Sequence, residues 1–325
     1  MEPHVSFVIP CYNYARFLPD CLNGILGQEG DYSFEIIAVD DCSTDNTLEV
    51  LEQFRDSRMT ILRHEKNQGH VKTVNEGLGA ARGTFVARVD PDDRYRPGFL
   101  STLLPKFAEY PDVAFVYGDA ALINAAGVIE IESTDRVHHG ADFKGNELCA
   151  LLLENFICAP TAIARREAWL EAMPIPAHLA FNDWYFNLMM ARKYDFCYVN
   201  RVVADYRVHA ANHHSKIVKD KSEEPSIRYL LDYIFSVKEE NAEQEARKKA
   251  VRSKTYAAQY LTLANKYFGA GLRADARRCY IEAIRFHPAT MLSMTTLRRL
   301  SATFLQLEVY ETLKRAFGKG YGSHA

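Results

Sequence analysis

Three carboxylates fall within four residues at Asp90-Pro91-Asp92-Asp93, directly after the run Val86-Ala87-Arg88-Val89. Acids this close repel one another and lose hydration wherever they are partly buried, so such a cluster needs a cation to hold it. Oxygen-only ligands select a hard ion, Mg²⁺ or Mn²⁺, of the kind kept for a phosphate-bearing substrate. Pro91 forces Asp90 into an extended conformation, consistent with Asp90 ending a strand. Two other apolar runs also end in polar residues. Val5 to Ile9 leads into Pro10-Cys11-Tyr12-Asn13, and Ile36 to Val39 leads into Asp40-Asp41-Cys42-Ser43-Thr44-Asp45. Ligands of open α/β sheets sit at the carboxyl ends of strands, so an aromatic, two acidic clusters and small polar groups would converge on one edge. Asp40-Asp41 taken alone reads equally well as a solvated strand end or helix cap. Cys11 and Cys42 lie close to this edge, but neither has a histidine nearby in sequence, and packing roles are expected for both.

The elements that must position these groups are legible as alternation. Candidate strands are Val5 to Pro10, Glu35 to Asp40, Met59 to His64, Thr84 to Asp90 and Val113 to Tyr117. Phe17, Leu18, Cys21, Leu22, Ile25 and Leu26 fall at helical spacing between the first two, as do Leu48, Val50, Leu51 and Phe54 between the next two. Strands alternating with helices predict an α/β domain with a mostly parallel sheet over residues 1–215. Residues 216–226 are polar, contain Pro225 and read as a linker. Residues 227–325 read as all-helical, with the charged stretch Lys238 to Lys254 taken as a solvated face. Tyr260, Leu263, Ala264, Tyr267, Ala276, Tyr280, Ala283 and Pro288 match one tetratricopeptide unit of about 34 residues. From Met291 to Phe317, apolar residues recur at steps of three or four beside Arg298, Arg299, Lys314, Arg315 and Lys319. Such a stripe either packs as core or lies on an anionic membrane face.

Composition excludes several classes. At 325 residues with 48% hydrophobic and 25% charged residues, the chain is a folded globular one, too long for a disulfide-stapled miniprotein. No apolar run approaches the ~18 residues that a membrane span needs. Met1-Glu2-Pro3-His4 lacks the pattern of a secretory signal, and seven scattered cysteines show no metal-ligand spacing, so a reducing, cytoplasmic setting is expected. The net charge of −3 conceals an asymmetry: residues 226–325 hold 17 Lys and Arg against 9 Asp and Glu, leaving 22 against 33 elsewhere. Positive charge confined to the tail argues against a nucleic-acid partner.

In order and spacing, Val5 to Asn13, Val39 to Asp45, Asn67-Gln68-Gly69 with Asn75, Gly77 and Ala81-Arg82-Gly83, and Asp90 to Asp93 resemble the family-two glycosyltransferases of the GT-A fold. The resemblance spans about residues 4–215, with Cys42 standing where the family has glycine. It implies an inverting transferase taking a nucleotide-sugar, with UDP as the nucleotide. Pro10, Tyr12, Asn13, Asp41 and Asn75 would surround the nucleotide, Tyr12 by stacking and Asp41 by accepting the base imide proton. Asp92 would face ribose and metal, while Asp90 and Asp93 complete a Mn²⁺ or Mg²⁺ site. In the family a carboxylate opening a helix takes the acceptor's proton, and Asp183 in Asn182-Asp183-Trp184 matches that place, with Asn182 replacing the usual acid. Asp183 read alone is a helix cap. The segment from Tyr206 resembles the part that closes over the diphosphate, which makes Arg207 and His209 phosphate or metal contacts and leaves His213 and His214 without a role. The acceptor implied is a glycan or lipid-linked glycan of a surface polysaccharide, reached at the inner face of the membrane.

Rival readings fare less well. A nucleotidyltransferase or dinucleotide oxidoreductase would carry a glycine-rich loop after the first strand, where Pro10-Cys11-Tyr12-Asn13 stands. A receiver domain would not explain Asp90 to Asp93. A non-catalytic nucleotide-binding scaffold, serving its helical tail as an interaction module, is the alternative from another class.

Overall fold

The computed structural model describes residues 4–209 and 217–305. The chain divides into two compact units, Met1–Ser215 and Lys216–Ala325. In the first, β1 (Val5–Cys11), β2 (Phe34–Asp40), β3 (Met59–Arg63) and β4 (Phe85–Arg88) form a parallel array in the order β3-β2-β1-β4. They are joined by α1 (Leu18–Leu26), α2 (Thr47–Gln53) and α3 (His70–Ala80). β1 and β2 are buried along their whole lengths, which is why both read as continuous apolar runs rather than alternating ones. Val89 N–H donates to the Val8 carbonyl, so even-numbered residues of β1 face β4. Pro10, with no N–H to give, lies where that ladder has ended.

Beyond β4 the sheet changes character. β5 (Arg94–Tyr95) and α4 (Phe99–Glu109) precede the long β6 (Val113–Ile123), which outruns the expected strand by six residues. The short β7 (Ile129–Ile131) and β8 (Phe143–Gly145) pair at the margins, and α5 (Leu148–Leu153) follows. β9 (Ala162–Arg165) then inserts antiparallel between β4 and β6. α6 (Arg166–Ala172) and α7 (Asp183–Ala191) lead to β10 (Asp195–Arg207), which runs parallel to β6 and pairs with β5. The sheet is therefore mixed. β10 was not among the expected strands because Asn200, Arg201 and Asp205 interrupt its apolar pattern. Asp205 is buried and takes Arg94 on one oxygen and Arg96 on the other, which fastens β5 to β10.

Two antiparallel steps, β4 to β9 and β9 to β6, restore the original direction. As a result β1, β2, β4, β6 and β10 all point the same way, and their carboxyl ends share one edge. The core beneath that edge is built from Phe7, Ile9, Leu18, Leu22, Ile25, Phe99 and Leu103, all inaccessible to solvent.

In the second unit, α8 (Glu223–Ser236) starts inside the segment read as a linker, so that reading fails for its last residues. Pro225 is no obstacle there, since the first N–H groups of a helix have no internal acceptor. α9 (Ala242–Gly269) and α10 (Arg273–Phe286) pack as a hairpin around Gly271, whose φ of +77° suits the turn. Apart from Pro288, which follows the second arm, the residues matching the repeat spacing lie on its two arms, with Ala264, Tyr267, Ala276, Tyr280 and Ala283 fully buried. The stretch Lys238 to Lys254 is not wholly solvated. Lys248 is 1% exposed and bonds to Glu239 Oε1 at 2.6 Å and to the Ile234 carbonyl at 3.1 Å, so its charge is compensated inside the unit. α11 (Met294–Ala302) carries the first part of the amphipathic stripe; residues from 306 onward lie outside the described residues. No disulfide joins any of the seven cysteines.

The α3–β4 turn explains Ala81-Arg82-Gly83. Ser6 Oγ donates to Glu35 and accepts from Gly83 N–H at 2.8 Å, while the Arg82 guanidinium closes on Glu35. A Cβ on Gly83 would stand 2.6 Å from the Ser6 nitrogen and 2.7 Å from the Val5 carbonyl carbon, both backbone atoms that cannot turn aside. Gly83→Ala is expected to cost about 3 kcal/mol. Trp169 and Trp184 are the chain's two tryptophans and both lie in the first unit, so urea denaturation followed by their fluorescence reads that loss directly.

Candidate active site

At the end of β1, Tyr12 is 42% exposed and offers a free aromatic face beside the edge. Pro10 is buried in the strand and shapes the edge without presenting surface to a ligand. Asn13 also has a task in the fold itself. Its backbone takes φ +60°, and its Oδ1 accepts from Thr44 N–H at 2.7 Å and from Asp45 N–H at 3.3 Å, so it ties the loop after β1 to the loop after β2. Cys42 adopts the same left-handed conformation, which accounts for the glycine usual at that place.

Asp41 is 2% exposed and already engaged. Oδ1 accepts from Gln68 N–H at 2.7 Å and meets His64 Nδ1 at 2.6 Å, while Oδ2 accepts from Gly69 N–H at 2.8 Å. The Asn67-Gln68-Gly69 segment is thus a backbone clamp on this carboxylate, and about one of the four acceptor positions of a carboxylate stays open, on Oδ2. His64 Nε2 meets Glu76 at 2.8 Å on its other side. Burial works against a charged imidazole, but the bonds to Asp41 and Glu76 outweigh it and raise the His64 pKa.

The acid cluster spans the gap between β4 and β10. Asp90 pairs with Arg88, which is itself buried. Burial first and the Asp90 charge second push Asp92 up to about 6, against the opposing pull of His209. Asp93, 1% exposed, is held well above the usual carboxylate range by burial, then by Asp92 and Asp90. Its Oδ2 has no hydrogen-bond partner. His209 Nε2 lies 3.0 Å from Asp92 Oδ2, and its ring packs on Phe17 with centroids 4.7 Å apart. Among the described residues no three ligand side chains form a closed cage for an ion. An orphaned buried oxygen beside a second, strongly perturbed carboxylate is nonetheless what a hard cation would relieve, and the donor set fits Mg²⁺ or Mn²⁺.

Arg207 departs from its expected role as a phosphate contact. It is 1% exposed and fully occupied: its backbone N–H donates to Asp93 Oδ1 at 2.8 Å, Nε to the Asp92 carbonyl at 2.7 Å and Nη2 to Asp20 at 2.8 Å. Its guanidinium also covers the Phe17 ring. Arg207 therefore holds the two acids in place from behind. Asn75 departs too, because its carboxamide both donates to and accepts from the Ile175 backbone, at 3.1 and 2.9 Å, which pins the loop after α6. Cys11 is no nucleophile, since burial and then the charges of Asp40, Asp45 and Asp90 drive its thiol pKa far up. His213 and His214 lie outside the described residues.

Asp183 is the first residue of α7, and its Oδ2 accepts from Asn155 Nδ2 at 2.8 Å. Beside it lies a small cavity of about 20 Å³ lined by Arg88, Phe115, Ile157, Trp169 and Asn182. Arg88 lines the same cavity as Asp183 and pairs with Asp90, so the α7 terminus and the acid cluster lie close together. Asn182, in place of an acid, is buried against His70, the first residue of α3.

A sequence model described as glycosyl transferase family 2 matches residues 6–171, just over half of the chain. The chain belongs to glycosyl transferase family 2. Among curated relatives, an uncharacterized glycosyltransferase of Nostoc sp. is 26% identical over 255 residues, covering 72% of this chain and 76% of the relative. The succinoglycan biosynthesis protein ExoO of Rhizobium meliloti is 36% identical over 104 residues, covering 32% of this chain and 30% of that protein. The structure of S. aureus TarS 1-349 in complex with UDP-GlcNAc aligns with a TM-score of 0.67 at 17% identity, covering 100% of this chain and 93% of that chain. The fold is GT-A, and the protein is a glycosyltransferase.

Sequence reading missed Arg88, His64, Glu76, Asp20 and Asn187 in this transferase. Arg88 had a signal, a charge inside an otherwise apolar run. The others gave none, because each matters only through a contact with a residue far along the chain. The raised pKa of Asp92 carries a prediction with a definite sign. A carboxyl whose folded pKa lies above its unfolded value of 3.8 binds its proton more tightly in the folded chain, so stability falls as pH rises from there through about 6. At pH 8 without added metal, Asp92→Asn should raise the melting temperature by about 2–4 °C. Mn²⁺ should stabilise the parent protein at pH 8 and lose that effect near pH 5. A lower melting temperature for Asp92→Asn would show the charge to be stabilised by other means.

Proposed function

We propose that this transferase moves a sugar from a UDP-sugar to an acceptor hydroxyl by direct displacement with inversion, supported by Mn²⁺ or Mg²⁺. The observation that carries the reading is the shared edge, with the exposed Tyr12 ring, the buried Asp92–Asp93 pair with its orphaned oxygen, and Asp183 opening a helix. Tyr12 stacks on the base, and the open position on Asp41 Oδ2 accepts the uracil imide proton. Asp92, Asp93, Asp90 and His209 would hold the cation, which would supply positive charge where the diphosphate departs. The bond from anomeric carbon to phosphate oxygen breaks while the acceptor oxygen bonds to that carbon. The acceptor's proton passes to Asp183, and UDP leaves with the bonding pair. No covalent intermediate is needed, in keeping with the burial of the Cys11 thiol.

Assembly of a surface polysaccharide at the inner, cytoplasmic face of the membrane is the setting we propose, on a glycan or lipid-linked acceptor. The relative named for succinoglycan biosynthesis and the UDP-GlcNAc complex of the structural neighbour support it. No described helix is long and apolar enough to cross a membrane. Contact would be peripheral, through the stripe beginning at Met291: Leu292 is 84% and Met294 78% exposed beside Arg298 and Arg299. Flotation with anionic vesicles should be salt-sensitive and lost on deleting residues 289–325. A protein that stays in the soluble fraction at low salt removes the membrane role.

Calorimetry should show UDP binding that EDTA weakens greatly. With a donor selected by thermal shift from a panel of UDP-sugars and water as acceptor, Asp183→Asn should slow UDP release by about 10²–10⁴-fold while UDP binding persists. Near-normal release would return Asp183 to a capping role. No release from the parent protein would favour the non-catalytic scaffold.

A further inference from the structure

Asp183 does not stand free at the start of its helix. Asn155, in the loop after α5, donates from Nδ2 to Asp183 Oδ2 at 2.8 Å. Asn187, one turn along α7 from Asp183, donates from its own Nδ2 to Asn155 Oδ1 at 3.1 Å. The three side chains form a single-file relay, Asn187 to Asn155 to Asp183. Its direction is set by chemistry, because a carboxylate can only accept, so the amide facing it must present N–H. The amide of Asn155 alone could turn over at little cost; Asn187, 5% exposed, holds it in the donating sense. The loop is fastened independently, since Trp184 Nε1 donates to the Leu151 carbonyl at 2.7 Å near the end of α5. Helix, loop and carboxylate thus have one geometry.

We propose that Asn155 and Asn187 are positioning residues for the base, which dedicate Asp183 Oδ2 to the protein and leave Oδ1 to receive the acceptor's proton. The inference rests on the reading of Asp183 as that base. A carboxylate free to rotate presents either oxygen in a range of directions. One with an oxygen tied holds the other on a line, and misplacement of a catalytic group by about 1 Å costs around 10²-fold in rate. The acceptor hydroxyl therefore approaches from the side of Asp183 opposite Asn155. This also explains how Asn182 stands in the place of the family's paired acid without loss of aim, since the fixing contact comes from across the site rather than from the neighbouring residue.

The test is UDP release from the selected UDP-sugar, with Mn²⁺ present and water as acceptor. Asn155→Ala should lower kcat about tenfold and Asn187→Ala about threefold, with the KM for donor and the Kd for UDP unchanged within about twofold. In the Asp183→Asn background, Asn155→Ala should slow release no further, because an aim has meaning only while there is a base to aim. A full, additive loss in that double variant, or a KM that rises in step with the fall in kcat, overturns the positioning role and makes Asn155 a general support of the site. Unchanged kcat in Asn155→Ala, with Asp183→Asn strongly impaired, overturns the relay and leaves the base reading standing. Near-normal release from Asp183→Asn overturns both. Should Asn155→Ala fail to fold, Asn187→Ala alone and in the Asp183→Asn background reads the same relay one residue further out.

Discussion

Asp92 and Asp93 are buried side by side, where water cannot screen them, and much of the site answers that repulsion. Arg207 grips both from behind, through its backbone N–H on one and its guanidinium on the carbonyl of the other. Phe17 backs the guanidinium, and His209 caps the outer oxygen of Asp92. Even with these partners, both acids titrate well above an ordinary carboxylate, and one oxygen of Asp93 is unsatisfied. Charge stored in this way is poor engineering for stability and suited to a site that meets a cation and a diphosphate.

That arrangement depends on sheet direction. Asp92 and Asp93 follow β4, whereas Arg207 and His209 end and follow β10, over a hundred residues later. They meet because β9 reverses the sheet twice, so that β10 runs with β4 and ends at the same edge. β5 and the Asp205 pairs with Arg94 and Arg96 then stitch the segment after the acids to β10 itself. Asp183 reaches the edge by a different route, from the N-terminus of α7, and is aimed by a loop rather than by a strand. Nucleotide edge, acid cluster and base are therefore carried by separate elements, which allows each to vary without disturbing the others.

Two of the family's motifs turn out to serve the fold more than the ligand. Asn67-Gln68-Gly69 clamps Asp41 with backbone N–H groups, and the turn Ala81-Arg82-Gly83 closes against Ser6 and Glu35 with no room for a Cβ. The same holds for Asn75 and for the side-chain oxygen of Asn13, both spent on loops. A short polar residue near a ligand edge is as useful for satisfying the bare backbone of a loop as for touching the ligand.

From the sequence alone, the apolar runs of β1, β2 and β4 and the polar residues at their ends established the α/β class, the edge and the acid cluster. They are local: burial on both faces makes a strand continuous in apolar residues, and crowded carboxylates are visible as neighbours in the chain. Cys42 and its φ of +60° show the limit of such reading, since the place was recognised but its backbone was not. Only the tertiary structure decided which side chains were free to act. Arg207 and Asn75 are the same residue types whether they bind a ligand or brace a loop, and the choice lies in contacts with Asp20, Asp92 and Ile175. The strand β10, the buried charge of Lys248 and the relay through Asn155 and Asn187 were invisible for the same reason: each is a pairing between segments distant in sequence, and pattern within a segment does not say what will pack against it.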